Sequence, residues 1–101
     1  MESWSVEIVS IRHKGLKHLY LRNDPKGVPG DHVRKIITLI AVLEGLDDID
    51  QFLSLPHGRP HGLKDDRAGD YAISITRNWR MTFRHDRGDN KIEILDLEDY
   101  H

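Results

Sequence analysis

The sequence contains no cysteine. A disulfide, a zinc–thiolate site and a thiol nucleophile are therefore excluded. It also has no apolar stretch long enough to cross a bilayer. Its first fifteen residues show no basic segment followed by a long apolar run, so no signal peptide is predicted. These absences predict a cytoplasmic protein that does not bind a membrane.

The composition indicates one small folded domain. The chain has 101 residues, of which 38% are hydrophobic and 32% are charged. That length fits one domain and not two, and that balance is typical of a globular protein rather than a disordered one. We therefore expect a single domain over residues 1–101, without internal repeats or low-complexity segments.

The net charge of −2 hides an uneven distribution. Residues 1–35 carry seven Lys/Arg against four acids, and residues 59–87 carry the same numbers, which gives +3 for each block. Residues 36–58 carry no Lys/Arg and four acids, and residues 88–101 carry one Lys against five acids, which gives −4 for each. A basic patch for nucleic acid can exist within such a chain. Charge alone favours ordinary solvated faces.

The first half of the chain predicts one strand and two helices. Residues 5–11 are rich in β-branched residues and favour a strand. Residues 14–22 have the apolar spacing of a short amphipathic helix. Residues 23–30 hold two prolines and two glycines and predict a turn, after which Asp31 is a natural N-cap. A second helix begins there, and helix or short turn structure continues to about residue 53. Its inner stripe consists of Val33, Ile36, Ile37 and Ile40.

The second half predicts a loop and three strands. Residues 54–62 contain two prolines and two glycines and should form a loop. Alternating patterns predict strands at 71–76, 79–85 and 91–97. In the last strand the apolar residues change sides after residue 94, which indicates either a strand covered on both faces or a β-bulge.

The order β-α-α-β-β-β predicts an α+β fold. In this arrangement two N-terminal helices pack on one face of a small antiparallel sheet. Arg80 and Arg84 leave the middle strand on the side opposite Met81 and Phe83. If the helices cover Met81 and Phe83, the two arginines line an open face or groove.

Three segments carry residues suited to chemistry: His-Gly-Leu-Lys at 61–64 with the following 65–69, Asn-Trp-Arg at 78–80, and Asp-Tyr-His at 99–101. Cleavage of RNA without a metal needs a base for the 2′-hydroxyl, an acid for the leaving 5′-oxygen and cations for the phosphate. Histidine suits both proton roles, and arginine suits the phosphate. The residues alone leave open that the histidine is simply exposed, that the arginines only solubilise the sheet, and that the tail is a frayed end.

A metal site is not predicted. His57 and His61 have a spacing that metal ligands often show, but the prolines and glycines between and around them disfavour a shared helical face. We expect neither a metal nor another cofactor.

The chain resembles the HigB toxins of the RelE/ParE superfamily. The resemblance rests on K-G-L-K-H-L-Y at 14–20, D-P-K-G at 24–27, H-G-L-K-D-D-R-A-G at 61–69, N-W-R-M-T-F at 78–83 and the D-Y-H at 99–101. These pieces cover almost the whole chain in the right order, and their combination is specific. One departure is Asp65, which stands where the family commonly has glycine.

The resemblance implies an endoribonuclease that cuts messenger RNA in the ribosomal A site and leaves a 2′,3′-cyclic phosphate. It also implies a helix-turn-helix antitoxin of the HigA type, with operator DNA bound only through the toxin–antitoxin complex. Two roles follow for the site. The residues implied in catalysis are His61, Arg80, Asp99, Tyr100 and His101. The predicted RNA or phosphate contacts are Lys64, Arg67, Asn78 and Arg84.

Two other functions remain open on the same fold. One is a ParE-like toxin that inhibits DNA gyrase and cuts no RNA. The other is a degenerate toxin that only binds its antitoxin and, through it, DNA. The presence of His61, Arg80 and His101 argues against the gyrase inhibitor, because binding alone needs no base, acid and phosphate clamp. The degenerate toxin stays open, since the fold of the family does not decide the function.

Overall fold

A computed structural model describes residues 6–99. The implied catalytic residues Tyr100 and His101 lie outside this range. The helices are α1 (Lys14–Arg22), α2 (Val33–Glu44) and α3 (Ile49–Leu53), and the strands are β1 (Glu7–Ile8), β2 (His61–Gly62), β3 (Asp70–Ser74), β4 (Trp79–Asp86) and β5 (Lys91–Asp99). Short 3₁₀ turns cover Gly30–His32 and Asp65–Arg67. No helix in the described part of the chain is long and apolar enough to span a bilayer.

The five strands form one sheet in the order β1-β5-β4-β3-β2. The pairs β2–β3, β3–β4 and β4–β5 are antiparallel. The first strand instead runs parallel to β5, which corrects the prediction of a purely antiparallel sheet. It is also shorter than predicted, with one further bridge from Ile11 to Leu95. The α+β class and the helices on one face are confirmed.

Two other boundaries differ from the sequence predictions. The predicted second helix ends at Glu44, and a separate helix α3 follows, capped by the Asp48 carboxylate, which accepts the Gln51 amide at 3.0 Å. Asp31 is not the cap of α2, because it lies within a 3₁₀ turn, and α2 begins after His32 without a side-chain cap. In the predicted loop 54–62, His61–Gly62 instead pairs with the edge of β3.

The core lies between the helices and one face of the sheet. Leu16 of α1 and Ile36 of α2 are fully buried against Met81 and Phe83 of β4. The Phe83 ring stands edge-on to Phe52 of α3, with ring centroids 5.0 Å apart. Since alternate residues of a strand point to opposite faces, Arg80, Thr82 and Arg84 lie on the other face, as predicted.

A β-bulge on β5 explains the change of sides in its apolar pattern. Thr82 pairs with Asp96 whereas Arg84 pairs with Glu93, so β5 has one residue more than β4 over this stretch. Ile92 and Leu95 both reach the core, and Ile94 between them is exposed with φ of 55°. The bulge is one of the two alternatives that the pattern left open.

Gly15 and Gly27, each preceded by a lysine in the sequence, pack backbone against backbone. A Cβ on Gly15 would stand 2.0 Å from the carbonyl oxygen of Gly27, and a Cβ on Gly27 would stand 2.5 Å from the Gly15 Cα. Side chains at either position are therefore excluded sterically. This contact fixes the turn after α1 against the start of that helix.

Candidate active site

The open face of the sheet carries a cluster of two arginines around one carboxylate. Glu98 of β5 stands opposite Arg80 of β4. Its Oε1 accepts from Arg80 Nε at 3.1 Å, and its two oxygens accept from Arg67 Nη1 and Nη2 at 3.3 and 2.9 Å. The Thr82 hydroxyl donates to Oε2 at 2.8 Å. Two guanidinium groups from different parts of the chain thus converge on one anion.

These donors keep Glu98 ionised. Burial alone would raise the pKa of Glu98, but the hydrogen bonds from Arg67, Thr82 and Arg80 outweigh it and hold the pKa at about 2. The carboxylate is 23% exposed. The charged Glu98 carboxylate therefore holds the Arg67 and Arg80 guanidinium groups side by side.

Asp70 extends the cluster to a third arginine. Its Oδ1 accepts from Arg84 Nε at 3.1 Å, and its Oδ2 accepts from Arg67 Nε at 3.5 Å. Arg67, Arg80 and Arg84 are therefore joined into one network by two carboxylates. Three of the predicted RNA-binding or catalytic arginines come together in this way.

His61 lies on the same face at the sheet edge. The residues paired across the strands in one row are His61, Ala72, Thr82 and Asp96, and paired residues of an antiparallel sheet point to the same side. The exposed His61 ring donates from Nδ1 to the Arg59 carbonyl at 2.7 Å, because a carbonyl can only accept. In the neutral ring this bond leaves Nε2 unprotonated. His61 is thus oriented with a proton acceptor exposed to solvent.

Lys64 and Asp65 start the turn that leads to Arg67. Lys64 is exposed and immediately precedes the 3₁₀ turn Asp65–Arg67. Asp65 has φ of 59°, in the left-handed region that glycine adopts most readily. Glycine would therefore fit the backbone at this position more easily than aspartate does.

The structure does not bring all predicted site residues together. Asn78 is exposed in the β3–β4 loop, and Asp99 is exposed at the end of β5, opposite Trp79. The strand that holds His61 is separated from β5 by β3 and β4. Within residues 6–99 no group of three or more His, Asp or Glu side chains is placed to hold a metal ion.

The cluster borders a groove on the open face of the sheet. The groove has a volume of about 410 Å³. Arg12, from the loop before α1, and Ile94, from the bulge, also line it. The charged residues of the lining are Arg12, Arg67, Arg84, Asp70, Asp96 and Glu98. The alternation of Leu95 and Leu97 with Asp96 and Glu98 was the available signal that both acids face away from the core.

Comparisons with known proteins agree with this fold and show the family. No family model matches the chain. A curated relative, Endoribonuclease HigB from Proteus vulgaris, is 37% identical over 94 residues, which are 93% of this chain and 99% of the relative. That similarity defines a toxin of the RelE superfamily. Within it, this chain belongs to the HigB family.

Solved structures with the same fold come from more distant proteins. The YoeB/ParE toxin from Agrobacterium tumefaciens aligns with a TM-score of 0.59 at 18% identity, over 96% of this chain and 99% of that one. The YoeB-YefM complex from Staphylococcus aureus gives 0.56 at 21%, over 99% of both chains. The toxin-antitoxin complex RelBE2 from Mycobacterium tuberculosis gives 0.52 at 14%, over 98% and 100%. At these identities the likeness establishes the fold.

Proposed function

We propose that this chain is an endoribonuclease toxin that cuts messenger RNA without a metal. The observation that carries the proposal is the convergence of Arg67 and Arg80 on one anion, on the face of the sheet that also presents His61. The name of the Proteus vulgaris relative, Endoribonuclease HigB, supports the same activity. A gyrase inhibitor or a binding-only toxin would have no need of this combination.

The reaction uses the 2′-hydroxyl of the RNA as its nucleophile. One histidine removes the proton from the 2′-hydroxyl, and the 2′-oxygen attacks the adjacent phosphorus. The bond from phosphorus to the 5′-oxygen breaks, and that oxygen takes a proton from the second histidine. The products are a 2′,3′-cyclic phosphate and a 5′-hydroxyl. His61 and His101 are the two proton-transfer residues, and Asp99 and Tyr100 orient the site and the base.

The arginines stabilise the charge that builds on the phosphate. Arg67 and Arg80 hold the phosphodiester as its oxygens gain charge, and Lys64, Arg84 and Asn78 contact the RNA around it. Fixed guanidinium groups are effective because no reorganisation is needed during the reaction. Glu98 and Asp70 supply that fixation before RNA binds.

We further propose that the RNA is cut in the ribosomal A site and that a helix-turn-helix antitoxin of the HigA type inhibits the toxin. One of the structures with this fold, RelBE2, is a toxin-antitoxin complex by its description, which supports an antitoxin partner. Operator DNA would be bound through that complex.

Primer extension on a reporter messenger RNA, after brief induction of the protein, tests the proposal. The wild type should give discrete cuts that depend on translation. His61→Ala and His101→Ala should each lower cleavage by roughly two to four orders of magnitude, as expected for loss of one proton-transfer group. His57→Ala, which removes another exposed histidine of the same loop, is the matched control and should cut like the wild type.

Arg80→Ala should also be strongly impaired while the protein remains folded. Growth arrest with intact messenger RNA would contradict the proposal in favour of gyrase inhibition. No arrest at all would point to a binding-only toxin.

A further inference from the structure

The bulge on β5 holds an isoleucine in an unfavourable backbone conformation. Ile94 has φ of 55°, which a β-branched residue rarely adopts because its side chain crowds the backbone. Its amide donates to the Ser10 hydroxyl at 2.8 Å, so the bulge is tied to the segment after β1. Glycine or asparagine would fit this conformation better. The backbone alone therefore gives no reason for isoleucine.

Packing of the hydrophobic core does not explain the isoleucine at position 94 either. Ile92 and Leu95 on either side fill the interior and are almost wholly buried. Ile94 is 45% exposed and lines the groove beside Thr82 and Arg84. Its side chain is thus an apolar surface within a lining that is mostly charged. Strained residues often mark a site of function, and exposed apolar groups in a groove often contact a ligand.

Arg12 supplies a positive charge at the same groove. Its amide donates to the Leu95 carbonyl at 2.7 Å, one residue beyond Ile94, which fixes its backbone beside the bulge. Among residues 6–99, Arg67 and Arg84 are paired with Asp70 or Glu98, whereas the exposed Arg12 side chain makes no ion pair. Asp96 also lines the groove, and its carboxylate accepts the Leu97 amide at 2.9 Å.

We propose that Arg12 and Ile94 form a second RNA subsite, in which the Arg12 guanidinium binds a backbone phosphate and the Ile94 side chain packs against a base. A nucleotide unites an anion with a flat apolar face, which is the chemistry that this pair of side chains offers. The inference rests on the proposed function, since it extends the path of the RNA from the Arg67–Arg80 cluster along the groove. The ligand is single-stranded, because only an unpaired base exposes its face.

Binding of a fluorescein-labelled 10-nucleotide RNA, 2′-O-methylated throughout to prevent cleavage, tests the subsite. Affinities are measured by fluorescence anisotropy over a series of salt concentrations for the full-length wild type and its variants. The variants are Arg12→Gln, Ile94→Asn and Ile94→Gly. Matched controls on α2 are Arg34→Gln, which removes an equal charge, and Ile37→Asn, which removes a similarly exposed isoleucine. The prediction that Ile37 belongs to the inner stripe of this helix is wrong, because its side chain is 48% exposed. Cleavage in a translating extract is measured with the same proteins.

Substitution of Arg12 and of Ile94 should affect the salt dependence of RNA binding differently. Arg12→Gln should weaken binding about 3- to 10-fold and reduce the slope of log affinity against log salt by about 0.7, the value for one phosphate contact on a single strand. Ile94→Asn should weaken binding about 3- to 10-fold without changing that slope, because base packing releases no counterions. Each variant should also slow cleavage in the extract. The two α2 controls should bind and cleave RNA like the wild type.

Ile94→Gly separates binding from folding. Glycine relieves the backbone strain at this position, so the thermal midpoint should equal or exceed that of the wild type while RNA binding falls. The inference is overturned if a wild type that cuts messenger RNA is matched in binding and cleavage by Arg12→Gln and Ile94→Asn. A wild type that neither binds nor cuts RNA overturns the proposed function itself, and the subsite with it.

Discussion

At the scale of single residues, the arginines of the open face are held by internal carboxylates. Glu98 binds Arg67, Arg80 and Thr82 together, and Asp70 joins Arg67 to Arg84. An ion pair exposed to water contributes little, but one that is partly buried and hydrogen-bonded on several sides contributes more. The Glu98 cluster is of the second kind and should be visible in the pH dependence of stability.

Glu98→Gln should remove a defined part of that pH dependence. The pKa of Glu98 is lowered to about 2 from the ordinary 4.5, so the carboxylate stabilises the fold above pH 4.5 and loses this effect as the pH falls from 4.5 towards 2. At neutral pH its contribution is on the order of 1–2 kcal/mol, since solvent screens part of the interaction. Urea unfolding at pH 7 and pH 3 measures it.

The wild type and Glu98→Gln should differ in unfolding free energy at pH 7 and converge as the pH approaches 2. An equal difference at both pH values would mean that Glu98 acts through its shape and not through its charge.

Asp65→Gly should stabilise the protein. The left-handed backbone at this residue costs an aspartate more than a glycine, although glycine loses more chain entropy on folding. The net gain should be about 0.5 kcal/mol in urea unfolding. Asp65→Ala is the control, because alanine removes the same charge but fits this conformation worse. Equal stability of the alanine and glycine variants would contradict the argument.

At the scale of elements, the contact between Gly15 and Gly27 joins α1 to the turn that follows it. Gly15→Ala should destabilise the protein by about 1–3 kcal/mol, since backbone must move to admit the new methyl group. Gly30→Ala is the matched control, because nothing lies within 4 Å of a Cβ added there, and it should change stability by less than about 0.5 kcal/mol. The midpoints of thermal unfolding compare the two, and similar midpoints would exclude the steric argument.

The sequence predicted the elements whose signals are local. Helix α1 has the predicted bounds of 14–22, because its apolar spacing and the turn residues after it agree. The end of α2 was missed although Gly45 marks it, since the apolar pattern continues beyond that residue. The two residues of β2 are a strand only because the edge of β3 pairs with them, and no local pattern reveals this.

The candidate site was predictable in residue type but not in pairing. Alternation along β4 placed Arg80 and Arg84 on the open face correctly. Their partners depend on the register between strands, and the bulge at Ile94 shifts that register within β5. The pairing of Glu98 with Arg80 therefore depends on the register between β4 and β5, and the sequence of either strand alone does not reveal it. Tyr100 and His101 remain predictions from the family resemblance.

At the scale of the whole molecule, β1 and β5 are partners although Ser10 and Ile94, which join them, are 84 residues apart in sequence. The pairs β3–β4 and β4–β5 are by contrast formed by strands adjacent in sequence. Contacts between residues distant in sequence require closure of a long loop, and this closure costs chain entropy before any favourable contact forms. The β3–β4–β5 meander should therefore form before β1 docks.

Folding kinetics test this order. Ile8→Ala in β1 should cost about 2 kcal/mol, and this cost should appear almost entirely as faster unfolding, with the refolding rate unchanged. Phe83→Leu in β4 should instead slow refolding, because its contacts form early. Stopped-flow measurements in urea give both rates. A slower refolding of Ile8→Ala would place β1 in the folding nucleus.

The parallel pairing of β1 with β5 also decides when the groove exists. Arg12 follows β1, whereas Ile94 and Glu98 belong to β5. With the folding order predicted above, the two walls of the groove meet only when β1 docks. A chain in which the meander has formed but β1 has not docked holds the Arg80–Glu98 pair without the Arg12 wall. In such a partly folded chain the proposed RNA path would be incomplete, so activity should appear later than secondary structure.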